Sequence, residues 1–333
     1  MGVLIVTVLA SRASTAGGIW IPSELFFGSM AGALVVGVLT FVGLTVWQLA
    51  KTWLDAPREK LVNKLALQVN MTVSDDIREA LTDQVAMRER GRLVGNIVAL
   101  LALLALSPPL TTGVADLGLA AAPIAVGLCF VGIQLGAFVG GALGRRTVAT
   151  TETVARLQPL GPAEYVHPLE RRMALVAAIV AVSIPTLALG ALSALGGSLL
   201  AEVAVGAPVL AVTGLAVGAV YLALPAIARR LSARRILRGG TEALAWSDAL
   251  TGRALSDLHW LIAFWGGLIA FVSLQTLGLA LSVDTPNPTA EAITIVSNVA
   301  LGLLLATMLI VLMRSPERHV QRTLWPELAI VAE

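Results

Sequence analysis

The chain has 333 residues, of which 57% are hydrophobic and only 13% charged, with a mean hydropathy of +0.85. Soluble domains carry about 25% charge and about 45–50% apolar residues, so an ordinary soluble globular protein is excluded. The formal net charge of +2 says little as a total, and the single cysteine, Cys129, excludes both an intrachain disulfide framework and a thiolate metal cluster.

The apolar excess sits in charge-free runs such as Leu119 to Leu143, Met173 to Leu200 and Leu258 to Ser282. Each exceeds the ~20 residues that a helix needs to cross a ~30 Å hydrocarbon core. Strands of a membrane barrel would be about 10 residues long and strictly alternating, and no such pattern is present. The expected fold is therefore all-α: a polytopic transmembrane helical bundle of about seven spans, because helices satisfy their own backbone in lipid.

Taken in chain order, residues 1–26 read as a short extracytoplasmic or interfacial lead-in. Met1 to Ala10 is apolar, but Arg12 follows the apolar stretch where a signal peptide would place its charge first. The bundle is expected over 27–313. The first span lies near 28–50, followed by a polar excursion over 51–92. Within it, 72–92 predicts an amphipathic helix capped by Thr72. Asp75, Asp76 and Glu79 lie at its N-terminal turns and Arg88, Arg90 and Arg92 at its C-terminal end, as the helix dipole favours. Such a helix would lie on the membrane or meet a partner. The second span, near 93–112, is expected to end at Pro108-Pro109.

The third span, near 118–143, carries Gly132, Gly136, Gly140 and Gly144 on one face, since i and i+4 align. With Gly214 and Gly218 of the fifth span, these glycines are candidates for close helix packing or a subunit interface. An excursion over 144–172 leads to the fourth span, near 173–196, which holds Pro185 as a kink or hinge. The fifth span, near 206–228, is followed by an excursion over 229–257. There Thr241 and Glu242 open a second amphipathic helix over 241–257. Spans near 258–281 and 291–313 and a tail over 314–333 complete the chain.

Orientation follows from the basic residues. Of the 23, all but Arg12 lie in 51–92, 144–172, 229–257 and 314–333. The loops 113–117, 197–205 and 282–290 hold none and carry Asp116, Glu202 and Asp284 instead. The positive-inside rule then places the N-terminus outside and the C-terminus in the cytoplasm of a bacterial inner membrane. Trp47, Trp53 and Trp260 at inner ends and Trp20 at the outer end fit aromatic belts. Odd-numbered spans start roughly 85–90 residues apart, which suggests three repeated helical hairpins plus a final span.

Chemistry is sparse. The spans lack mid-membrane Asp, Glu, Lys or Arg, which argues against proton- or cation-coupled transport. Asn96, Gln134, Pro185, Gln275 and Asn298 are the candidates for lining a path or forming a hinge, alongside Ser183 and Ser297; an interhelical hydrogen bond is the plainer role for the polar ones. The three histidines, His167, His259 and His319, avoid the bundle interior, which excludes a transmembrane haem. No HExxH, GxSxG or Walker motif occurs, and no cofactor is expected. Glu152, Glu164, Glu170, Asp248 and Asp257, with His167 and His259, read as solvated helix-face charges. Asp75, Asp76, Glu79, Glu152 and Glu242 are the candidates for partner docking.

These features suggest a permease-like subunit of a transport or export machine, energised by a separate ATPase or other partner. A structural or assembly subunit of a membrane complex, and a lipid-modifying enzyme with a cytoplasm-facing site, are the alternatives. The expected partners are the bilayer and other membrane or cytosolic subunits, with no nucleic acid.

Overall fold

The computed structural model describes residues 39–117, 121–144, 162–195, 200–233, 240–282, 287–312 and 316–328. Expectations for 1–38, including the lead-in and the start of the first span, and for 145–161, including Glu152, lie outside these residues. Every described element is a helix. After a helical stretch over 39–51 come α1 (Asp55–Val69), α2 (Asp75–Leu117), α3 (Ala121–Leu143), α4 (Pro162–Tyr165) and α5 (Pro168–Leu195). They are followed by α6 (Leu200–Ala233), α7 (Thr241–Ser282), α8 (Pro288–Leu312), α9 (Pro316–Leu324) and a 3-10 turn, Pro326–Leu328.

Among the described residues, four helices are long and apolar enough to cross a membrane: Pro168–Ala194, Ala207–Ser232, Thr241–Ser282 and Pro288–Thr307. This identifies an all-helical protein with the character of a membrane protein. Its lateral surface agrees, since Leu187, Leu222, Val212, Val296 and Leu303 are exposed along these helices. Large apolar side chains left outside a packed bundle need lipid or another protein to cover them.

Two helices depart from the sequence expectation. The amphipathic segments 72–92 and 241–257 are not separate helices lying on a surface. Each runs without a break into the apolar segment that follows it, giving α2 its 43 residues and α7 its 42. At 1.5 Å per residue both are about 63–65 Å long, twice the hydrocarbon thickness. No proline or turn residue stands at Arg92-Leu93 or Asp257-Leu258, so nothing in the backbone ends the helix there. α2 also stays helical through Pro108-Pro109 to Leu117, where an end was expected. The N-terminus of α2 is likewise shifted: Asp75 is its first residue, and the Thr72 carbonyl accepts the Trp246 indole N–H at 2.9 Å.

The projecting ends of α2 and α7 build a polar head with α1 and the C-terminal segment. Its core joins Val62, Leu65 and Val69 of α1 to Leu81 of α2, Trp246 of α7 and Trp325. α1 stops at Asn70, which adopts the left-handed conformation (φ 61°) and donates its N–H to Ala66 O. Asn tolerates this geometry better than most residues, and it turns the chain back so that Met71 and Ile77 enter the same core.

α7 is the axis of the molecule. It packs against α3, α5, α6 and α8 in the apolar half and against α4 and α9 at the head. Its buried residues include Ala245 to Leu250 and Ala254 to Trp260 without interruption, so every face of the helix is covered there. A helix buried all round needs small side chains wherever neighbours cross closely. Gly266 meets Ala177 of α5, and Gly252 lies against Val320 of α9. The sequential pairs α2/α3, α5/α6 and α7/α8 all pack directly.

Candidate functional site: a buried polar clasp on α7

Where the head meets the bundle, α7 presents one polar anchor to each neighbour. Asp257 pairs with Arg88 of α2. Ser256 Oγ donates to Glu170 Oε2 of α5 at 2.6 Å. Arg253 pairs with Glu317 of α9. Asp248 accepts from the Tyr165 hydroxyl of α4 at 3.1 Å and from the Trp325 indole N–H at 2.9 Å. Nearer the N-terminus, Glu242 Oε1 accepts the Ser74 backbone N–H at 2.8 Å, satisfying a donor at the start of α2. His259 Nδ1 stays within α7, 2.7 Å from Leu255 O.

These groups are buried. Asp248 and Glu170 are 5% exposed, Asp257 is 9% and Glu317 is 1%. The expectation of solvated helix-face charges therefore fails for Glu170, Asp248, Asp257 and His259. The physical reason is the continuity of α7. Because the helix does not turn onto a surface, its polar turns are enclosed by α2, α4, α5 and α9, and each carboxylate needs a partner. The Arg88 guanidinium is held above its ordinary value: burial pulls it down, but Asp257, with smaller help from Glu317 and Glu89, outweighs that. Arg88 therefore remains a cation that only its carboxylate neighbours balance.

A second feature lies beside the clasp on the polar head. The His167 and His319 rings meet edge to face with centroids 5.4 Å apart, joining the segment before α5 to α9. His319 is held below its ordinary value, first by burial and then by His167 and Arg171.

The sequence-derived candidates fall into separate places. Gly132, Gly136, Gly140 and Gly144 line α3 where it crosses α2. A Cβ built on Gly132 would lie 2.6 Å from Ala99 Cβ, one on Gly140 2.5 Å from Met87 O, and one on Gly144 3.0 Å from Gln84 Oε1. Gly91 and Gly95 of α2 answer them, and neither was singled out from the sequence. Gly214 lies on Ala181 O of α5, and a Cβ on Gly218 would stand 2.9 Å from Val182 Cγ2. Asn96 Nδ2 donates to Thr45 Oγ1 at 3.3 Å. Gln275 donates to Ser297 Oγ at 2.8 Å and Asn298 Oδ1 at 3.3 Å, linking α7 to α8. Pro185 is buried inside α5, Gln134 is half-buried on α3, and Asp75, Asp76 and Glu79 are exposed on the first turns of α2.

Chemically, the clasp holds helices rather than presenting free groups, since its carboxylates are engaged by arginine, serine, tyrosine and tryptophan. Among the described residues no three His, Cys, Asp or Glu side chains converge as a ligand set for a metal ion. No protein-family model, curated protein or solved structure matches the chain.

Proposed function

We propose that this chain is a structural and coupling subunit of a bacterial inner-membrane complex, joining a membrane-embedded bundle to a cytoplasmic helical head. In this reading the chain crosses the membrane seven times, with its N-terminus outside and its head and C-terminus inside. The observation that carries it is α7: one unbroken helix, buried in both halves and fastened to α2, α4, α5 and α9 by the clasp. A rigid axis of this kind ties the position of the head to that of the bundle. Orientation is supported by the head's basic residues, among them Arg58, Arg78, Arg88, Arg253 and Arg318, which lie on the side that the positive-inside rule assigns to the cytoplasm.

A permease needs polar groups facing a way through the bundle. Gln275, Ser297 and Asn298 bind one another, and apart from Ser297 the opening at that depth is lined by apolar side chains such as Val180, Ala270 and Leu301. Both observations favour holding over conducting.

The test compares host cells with and without the gene. Solubilised gently, the chain should migrate in a complex of fixed stoichiometry well above its own 34.6 kDa. Its deletion should deplete the other subunits of that complex in quantitative membrane proteomics. A lone chain whose loss changes no other membrane protein, together with solute flux in proteoliposomes, would return the permease reading to first place.

A further inference from the structure

α5, α7 and α8 enclose a lateral groove of about 390 Å³. Its floor is small (Ala263, Gly267 and Ala270 of α7), and its walls are branched, including Val176 and Ile184 of α5 and Leu304 of α8. Along α5 it runs from Arg172 to Ile184, about 18 Å at 1.5 Å per residue, close to the ~15 Å of hydrocarbon in one leaflet. A helix, about 10 Å across, does not fit a groove of this volume, whereas a single extended hydrocarbon chain does.

The groove carries a charge at one end only. Arg172, an exposed residue, lines it there. Beside it Trp260, 7% exposed, packs on Met173, Ala177 and Ala263, all three of which line the groove. A cation at the mouth of an apolar slot one leaflet deep matches a phosphate joined to an acyl chain.

We propose that this groove is a binding site for a glycerophospholipid. The lipid phosphate is held by Arg172, and one acyl chain lies along α7 between α5 and α8. The proposal requires the membrane placement of these helices and is independent of the coupling role.

The test uses the full chain, delipidated in detergent and examined by native mass spectrometry with dioleoylphosphatidylglycerol or with dioleoylglycerol, which has the same chains and no phosphate. The phospholipid should be retained at one per chain, about tenfold over the diacylglycerol, the ratio one charge-assisted hydrogen bond supports. Arg172→Gln should bring the two lipids to equal retention. Ala300→Phe, on the groove wall, should abolish retention of both while thermal unfolding stays unchanged. Equal retention of the two lipids by the unaltered chain, or retention insensitive to both substitutions, would overturn the site. So would a crosslinked dimer with the groove buried between two copies.

Discussion

Arg88 on α2 and Asp257 on α7, 169 residues apart in the chain, form an ion pair at the junction of the polar head and the apolar bundle. Both side chains are largely withdrawn from solvent, at 16% and 12% exposure. Removing one member of such a pair leaves the other charged and unpaired, at a cost of about 3–5 kcal/mol, while replacing both with apolar residues of similar volume costs much less. Asp257→Ala should therefore lower the thermal midpoint in detergent far more than the double substitution Arg88→Met with Asp257→Leu. A double substitution as damaging as the single one would show that a stranded Arg88 charge is not what destabilises the single variant.

The glycines of α3 allow a second contrast. A Cβ on Gly136 meets the Gly91 carbonyl oxygen, which is backbone and cannot swing aside, whereas one on Gly190 or Gly302 meets nothing within 4 Å. Gly136→Ala should destabilise by about 1–3 kcal/mol through forced separation of α2 and α3. Gly190→Ala and Gly302→Ala should be neutral or stabilising, since alanine is the better helix former by up to about 1 kcal/mol. Parallel thermal unfolding of the three variants separates these outcomes.

Protonation of His319 provides a pH test. Burial, His167 and Arg171 hold it below its ordinary value of 6.5, so the folded chain favours the neutral ring. As pH falls through that value the unfolded chain takes up the proton first. Stability present above it is lost on the way down to the folded value. Lowering the pH from about 7.5 to about 5.5 should reduce amide protection in α9, once exchange rates are corrected for their intrinsic pH dependence, and His319→Gln should remove that loss. Protection in α9 that falls equally in the variant would assign the pH response elsewhere.

Much of the bundle is legible from sequence because its cause is local. Charge-free runs longer than a membrane crossing give α5, α6 and α8, and four-residue spacing alone places Gly132, Gly136, Gly140 and Gly144 on one face. The clasp depends on distant residues. Asp257 looks like any helix-face acid until Arg88 arrives from another helix, and Glu170 and Ser256 are brought together only by the crossing of α5 and α7. One local signal was available. Between Thr241 and Ser282 there is no proline, and Ala, Ser and Gly are spread round the whole helix, as a rod covered on every side requires.

Gln275 separates a packing role from a path-lining one. Its bonds to Ser297 and Asn298 tie α7 to α8, and interhelical bonds in membranes average about 0.6 kcal/mol. Gln275→Leu should lower stability by about that amount and leave cells unaffected in solute uptake. A marked uptake defect in a variant of normal stability would reassign Gln275 to a conduction path.

The continuity of α7 is the claim on which the coupling account stands, and one distance tests it. Nitroxide labels are placed at Thr241→Cys and Ser282→Cys, both exposed ends of the helix, in a Cys129→Ser background and in lipid nanodiscs. Double electron–electron resonance should then give a single narrow distance of about 60 Å, the length of an unbroken helix. A helix broken between Asp257 and Leu258, with its polar half lying along the membrane surface, would give about 43 Å and contradict the account.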